Sequence, residues 1–214
     1  KANLAEMIKQ LAETKRTKSN DLLDFVQSST STAVDVSQRF EQIGKSYEAK
    51  APYPDSSLGK KLKTVAQLID AGLSTRIYYV EVDGFDTHAQ QAPAHEALLG
   101  EVGDALEAFT TDLKGQGHGD RVLSVCFSEF GRRVQENASA GTDHGTAGPM
   151  ILAGSKVKAG LIGDHPSLTD LAEGDLQFHT DFRKVYAGIL EEWLNCDSTP
   201  ILGGEFEPVS IIET

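Results

Sequence analysis

Apolar residues return every three or four positions over several stretches of the chain, the spacing of one face of a helix. In 3–14, Leu4, Met7, Ile8 and Leu11 share such a face. From about 20 to 49, Leu22, Leu23, Phe25, Val26, Ala33, Val36, Phe40 and Ile43 predict a longer helix, although Ser28–Thr32 weakens its centre. Two prolines in APYPDSS (51–57) break that pattern, and 58–71 resumes it with Gly72 as a natural stop. The period then changes. Residues 75–82 (TRIYYVEV), rich in aromatic and β-branched side chains, predict a strand, and 91–114 a long helix with Leu98, Leu99, Val102, Leu106, Phe109 and Leu113 inward. A glycine-rich turn at 115–120 leads to a second buried strand at 121–127 (RVLSVCF). A polar loop over 128–147 precedes a third strand near 149–153. The last helix is expected at 180–195, with Phe182, Val185, Tyr186, Ile189, Leu190 and Trp193 inward and Thr180-Asp181 at its start.

Strand–helix–strand order implies right-handed crossovers and a mostly parallel sheet covered by helices on both faces. In such sheets chemistry collects beyond the carboxyl ends of the strands. Two segments are singled out on that ground, 83–91 and 128–148. The first reads DGFDTHAQQ and offers Asp83, Asp86 and His88 within six positions. The second carries Glu129, Arg132 and Arg133, then Asp143-His144 among glycines. Imidazole and carboxylate together suit zinc, manganese or iron better than magnesium or calcium. An arginine beside such ligands suits an anionic phosphate or sulfate group. A turn with a surface His88, and a flexible polar loop with self-pairing charges, are the plainer alternatives. His95, His118, His165 and His179 rank lower, as capping, solvated or loop residues.

Charge changes the picture in one respect. The 214 residues carry a net −12, but 1–70 hold 11 basic and 9 acidic side chains while 71–214 hold 9 and 23. An acidic chain repels phosphate backbones and anionic lipid, which excludes nucleic acid as a partner. Two cysteines, Cys126 and Cys196, make no disulfide framework, and Cys126 sits in an apolar run where a thiol acts as a small hydrophobe. No apolar run approaches the roughly 18 residues of a membrane span. No signal-peptide pattern is visible, and the first residue is Lys1 rather than Met. G-x-S-x-G, P-loop and G-x-G-x-x-G patterns are absent.

The segments GFDTH (84–88), FSEFGRRVQEN (127–137), GTDHGTAGPM (141–150) and TDFRKVYAGILEEWL (180–194) resemble, in order and spacing, a large bacterial family. It is catalogued as a domain of unknown function, number fifteen hundred and one. The resemblance runs from about Leu58 to the C-terminus, dividing the chain into a helical N-terminal segment (1–57) and an α/β domain (58–214). That family is regarded as distantly similar to alkaline phosphatases and sulfatases. The implied fold is a three-layer α/β/α sandwich around a mostly parallel sheet. Its members commonly carry an export signal, often of the twin-arginine type, implying a periplasmic or extracytoplasmic protein.

The phosphatase analogy carries over to particular positions. One strand end supplies an acid and a nearby His to the metals, matched here by Asp83 or Asp86 with His88. The next normally supplies an Asp-His pair. Here it reads Ser128-Glu129-Phe130, where Glu129 can ligate and Phe130 cannot. A later isolated His matches His144, beside Asp143. The nucleophile of such enzymes lies on a first strand, for which 1–70 offer no counterpart, so the chain reads either as the C-terminal part of a longer protein or as a domain without covalent catalysis. The expectation is a metal-dependent hydrolase-like domain for phosphate or sulfate esters. Asp86, His88, Glu129, Asp143 and His144 would hold a divalent metal such as zinc or manganese, and Arg132 would steady the small anionic ester. The alternative is a non-catalytic secreted binding or assembly module for glycans or partner proteins.

Overall fold

The structure, a computed structural model, describes residues 21–213, so the helix expected over 3–14 lies outside the described residues. The described chain divides into two compact units, one formed by 21–49 with Gln67–Arg76, the other by Lys50–Ala66 with 77–213.

In the first unit, α1 spans Asp21–Ser46 without interruption. The hydroxyls of its centre do not break it, because Thr30 turns its Oγ1 back to the Val26 carbonyl at 2.7 Å instead of competing for another backbone conformation. A Glu41–Lys45 pair one turn apart adds a small surface contribution. Helix α2, Ser57–Asp70, ends in this unit where Gly72 adopts φ +71°. The Gly72 and Leu73 amides donate back to the Ile69 and Leu68 carbonyls, closing the helix end in a left-handed turn suited to glycine.

In the second unit, α2 begins with the Ser56 hydroxyl accepting the Gly59 amide, and Leu58, Leu62 and Ala66 form its buried stripe. Helix α3, Gln91–Gly115, buries only its C-terminal half, through Ala105, Ala108, Phe109, Asp112 and Leu113. Of its expected inner face Leu98, Val102 and Leu106 are half-buried and Leu99 is exposed. Asp112 is completely buried and accepts the Lys50 amide at 2.7 Å and the Tyr53 hydroxyl at 2.8 Å, which pins the 50–53 loop to the helix. After a short 3₁₀ turn at Gly119–Arg121, β1 (Ser124–Cys126) pairs antiparallel with β4 (Ile151–Ala153). Between them lies a hairpin of β2 (Gly131–Glu136) and β3 (Thr142–Gly145). Helix α4, Phe182–Gly188, opens into a wide turn at Ile189–Trp193, and a short α5 covers Thr199–Leu202. The C-terminal segment lies against α4, where the Val209 amide donates to the Lys184 carbonyl and Ile211 is buried. No described helix is long and apolar enough to cross a membrane.

This is not the expected three-layer α/β/α sandwich. Among the described residues the strands form two separate two-stranded antiparallel sheets, β1-β4 and β2-β3, with no parallel pairing. The crossover argument fails at its first step, because it requires 75–82 to pair. That run joins no ladder, and Ile77 and Tyr79 are 73% and 75% exposed. Strand β1 does form, but its partner is reached through a hairpin, so the chain returns antiparallel. The polar 128–147 loop is that hairpin.

Candidate functional site

Two segments of the second unit meet, the 83–90 loop ahead of α3 and the β2-β3 hairpin. Three polar side chains stitch them together. The Arg132 guanidinium donates to the carbonyls of Thr142 and Phe85 and to Thr87 Oγ1. Gln91 donates to Thr87 and accepts the Thr142 hydroxyl at 2.8 Å. Asn137 builds the hairpin turn by accepting the Ser139 and Gly141 amides, and donates across to the His88 carbonyl at 3.0 Å. The backbone follows suit, with the Gln90 and Gln91 amides donating to the Ser139 and Ala140 carbonyls. Gln90 and Ala140 hold left-handed φ of 46° and 55° at this seam, a conformation that costs a non-glycine residue energy and is sustained by the surrounding bonds. Gly141 is required here, since a Cβ would come within 2.4 Å of the His88 carbonyl group.

The stitching brings Asp86, His88 and His144 together. Asp86 Oδ1 lies 2.9 Å from His88 Nε2 and 2.7 Å from His144 Nε2. One ligand atom from each falls within 4.8 Å of the others. All three side chains are open to solvent. The hydrogen bond from His144 above all holds the Asp86 carboxyl below the usual carboxylate range; desolvation opposes it, and the hydrogen bond from His88 adds a lesser lowering. The His144 ring is set by Phe130, stacked on it at 3.8 Å.

Of the residues singled out by the sequence, Asp86, His88 and His144 converge. Asp143 stands one step back, with Oδ1 3.6 Å from His88 Nδ1. Glu129 is exposed and outside the group, as is Asp83. Arg132 is beside the site, but its guanidinium is committed to the protein's own loops and lies 5.0 Å from the Phe130 ring centroid. Asn137, Gln91, Thr87 and Phe130 were not foreseen. The only trace of them in the sequence is an Asn four residues ahead of a Gly, a turn signature.

Two imidazoles and one carboxylate are a donor set that catalytic zinc sites use while keeping a further position for water or substrate. Tetrahedral ligation spaces donors by about 3.4 Å, so Asp86 Oδ1, now 2.9 and 2.7 Å from the two imidazole nitrogens, would move outward by about half an ångström to make room for an ion. Beside the site an open groove of about 490 Å³ is lined by Gln91, His95, Glu96, Leu99, Glu136 and Thr142.

No curated protein and no solved structure matches the chain. The family model described as "Protein of unknown function (DUF1501)" matches residues 1–193, starting well ahead of Leu58, and the chain belongs to that family.

Proposed function

We propose that Asp86, His88 and His144 bind one divalent transition metal, and that the domain uses it as a hydrolase of phosphate or sulfate esters. The convergence of their three ligand atoms within 4.8 Å, from segments more than fifty residues apart, carries this reading. The stacking of Phe130 on His144 and the low pKa of Asp86 support it, because both keep a ligand oriented and ready to coordinate. A divalent ion held by Asp86, His88 and His144 would supply Lewis acidity for ester hydrolysis. The chain's own contribution is to hold the two loops in register through Arg132, Gln91 and Asn137 and to leave the ligand group open on one side.

A second reading, a metal-bearing binding module, draws on the same site. The anion-steadying role given to Arg132 draws less support from the geometry, since three of its five N–H donors already bond Phe85, Thr87 and Thr142. Glu96 and Glu136 in the adjoining groove also disfavour an anionic ligand and favour a neutral or cationic one, such as a glycan or an amine.

The test is elemental analysis of chelator-stripped protein reloaded with zinc or manganese. The expected result is close to one metal per chain, lost in both His88→Ala and His144→Ala. Substoichiometric metal unaffected by either substitution overturns the reading and leaves a hydrogen-bonded network. Hydrolysis of aryl phosphates or aryl sulfates by the loaded protein supports the hydrolase; metal without turnover supports the binding module.

A further inference from the structure

We propose that the groove between α3 and the β2-β3 hairpin receives the ammonium end of an ester whose anionic end is held at Asp86, His88 and His144. The inference deepens the hydrolase reading and rests on it for the anionic end alone. Helix α3 buries only its C-terminal half, so its opening turns stand clear and present His95, Glu96 and Leu99 as one wall. The hairpin supplies the other wall through Glu136 and Thr142. Gln91 ties the two by accepting the Thr142 hydroxyl at 2.8 Å. The groove and the ligand group are built on the same two segments. Gly141, in the groove lining, packs on the His88 backbone, and His95 stands edge-on to Phe85, the neighbour of Asp86, with ring centroids 5.6 Å apart.

A volume of about 490 Å³ lies within the ~300–1,000 Å³ of small-molecule pockets. Neither the Glu96 nor the Glu136 carboxylate has an ion-pair or hydrogen-bond partner among the described residues, and no Lys or Arg lines the groove. Two uncompensated carboxylates on the walls of one groove repel an anion, and a cation between them is attracted by both. A bare ion would leave Leu99, 48% exposed on the same wall, with nothing to cover it. An alkylammonium group does both, setting its charge between the carboxylates and its carbons on Leu99. The substrate class is then a phosphate or sulfate ester of an amino alcohol, negative at one end and positive at the other. Such a molecule reconciles a metal that draws anions with an adjoining groove that rejects them.

The test is calorimetry on the whole chain, zinc-loaded, with three probes. These are phosphocholine, its uncharged isostere with carbon in place of the quaternary nitrogen, and glucose phosphate, polyhydroxylated and without the cation. Phosphocholine is expected to bind about 10-fold tighter than either of the others, the advantage of two solvated ion pairs. Glu96→Gln and Glu136→Gln should each weaken phosphocholine by about 3-fold and leave the isostere unchanged. Both side chains are exposed, so both variants should unfold at the wild-type midpoint. Equal binding of phosphocholine and its isostere, tighter binding of glucose phosphate, or a preference that survives both substitutions overturns the proposal. Choline on metal-stripped protein separates this inference from the metal reading. Choline binding that is lost when both glutamates are replaced upholds the groove even where wild type takes up no zinc. Absence of choline binding, or binding that ignores the glutamates, overturns the groove and leaves the metal reading standing.

Discussion

Phe130 lies flat on His144, ring centroids 3.8 Å apart and planes within 6° of parallel, with the Arg132 guanidinium 5.0 Å from the same phenyl centroid. The phenyl face fixes a solvent-open histidine that burial does not fix. Aromatic pairs of this kind contribute about 0.5–1.5 kcal/mol. Phe130→Ala is therefore expected to weaken zinc binding by about 3–10-fold, measured by calorimetry. Equal affinity would mean that the stack does not orient His144.

Arg132 ties the loop before α3 to the hairpin through two acceptors, the Phe85 carbonyl and Thr87 Oγ1, and braces the hairpin itself through the Thr142 carbonyl. Arg132→Gln is expected to cost about 2 kcal/mol in urea unfolding, in the range of charge-assisted bonds to partly buried acceptors. Lysine lacks the planar fork, so Arg132→Lys should recover less than half of that loss. Full rescue by lysine would show that charge alone suffices.

Asp181 caps α4, accepting the Arg183 amide at 2.9 Å while pairing with its guanidinium. The Arg183 side chain first, and its backbone amide second, bring the carboxyl down to about 2 from an ordinary 3.8. The folded value lies below the unfolded one, so this stabilisation is complete above about pH 4 and is lost as pH falls toward 2. Asp181→Ala should cost about 1 kcal/mol at pH 7, a usual cap value. The gap between variant and wild type should close on acidification across that window; a gap independent of pH would contradict the capping charge.

Cys196 is exposed, while burial pushes the Cys126 thiol up from its ordinary value. Since the thiolate is the reacting species, labelling with a disulfide reagent at pH 8 should show two phases of equal amplitude, the fast one at least ~10-fold quicker. Cys196→Ser should remove the fast phase. Its persistence would show that the strand carrying Cys126 opens readily.

The helices were legible because their signal is local. Leu58, Leu62 and Ala66, like Phe109 and Leu113, recur at helical spacing and are buried. Strands β1 and β4 were legible as short apolar runs, but their pairing was not, since a run of Val and Ile carries no record of its partner. The hairpin was missed because Gly131–Glu136 and Thr142–Gly145 are polar on both faces, leaving no alternation to read. At the site, the Asp-x-His and Asp-His doublets marked Asp86, His88 and His144. Glu129 stands out only by a parallel-sheet rule, and no parallel sheet forms among the described residues. Asn137 and Phe130 act through geometry that only the folded hairpin creates.

The run at 77–82, β-forming in sequence but outside any ladder, has a consequence for the behaviour of the chain in solution. With no ladder of its own, its amides should exchange with deuterium far faster than those of Ala105–Leu113 on α3. An unpaired stretch of β-forming residues with Ile77 and Tyr79 outward is also a template onto which a like segment can add. What opposes that addition is repulsion among the acidic side chains that dominate 71–214. Repulsion between exposed charges is screened within about 10 Å at 0.1 M salt. Added salt should therefore promote self-association of this protein, which makes low ionic strength the condition for keeping it dispersed.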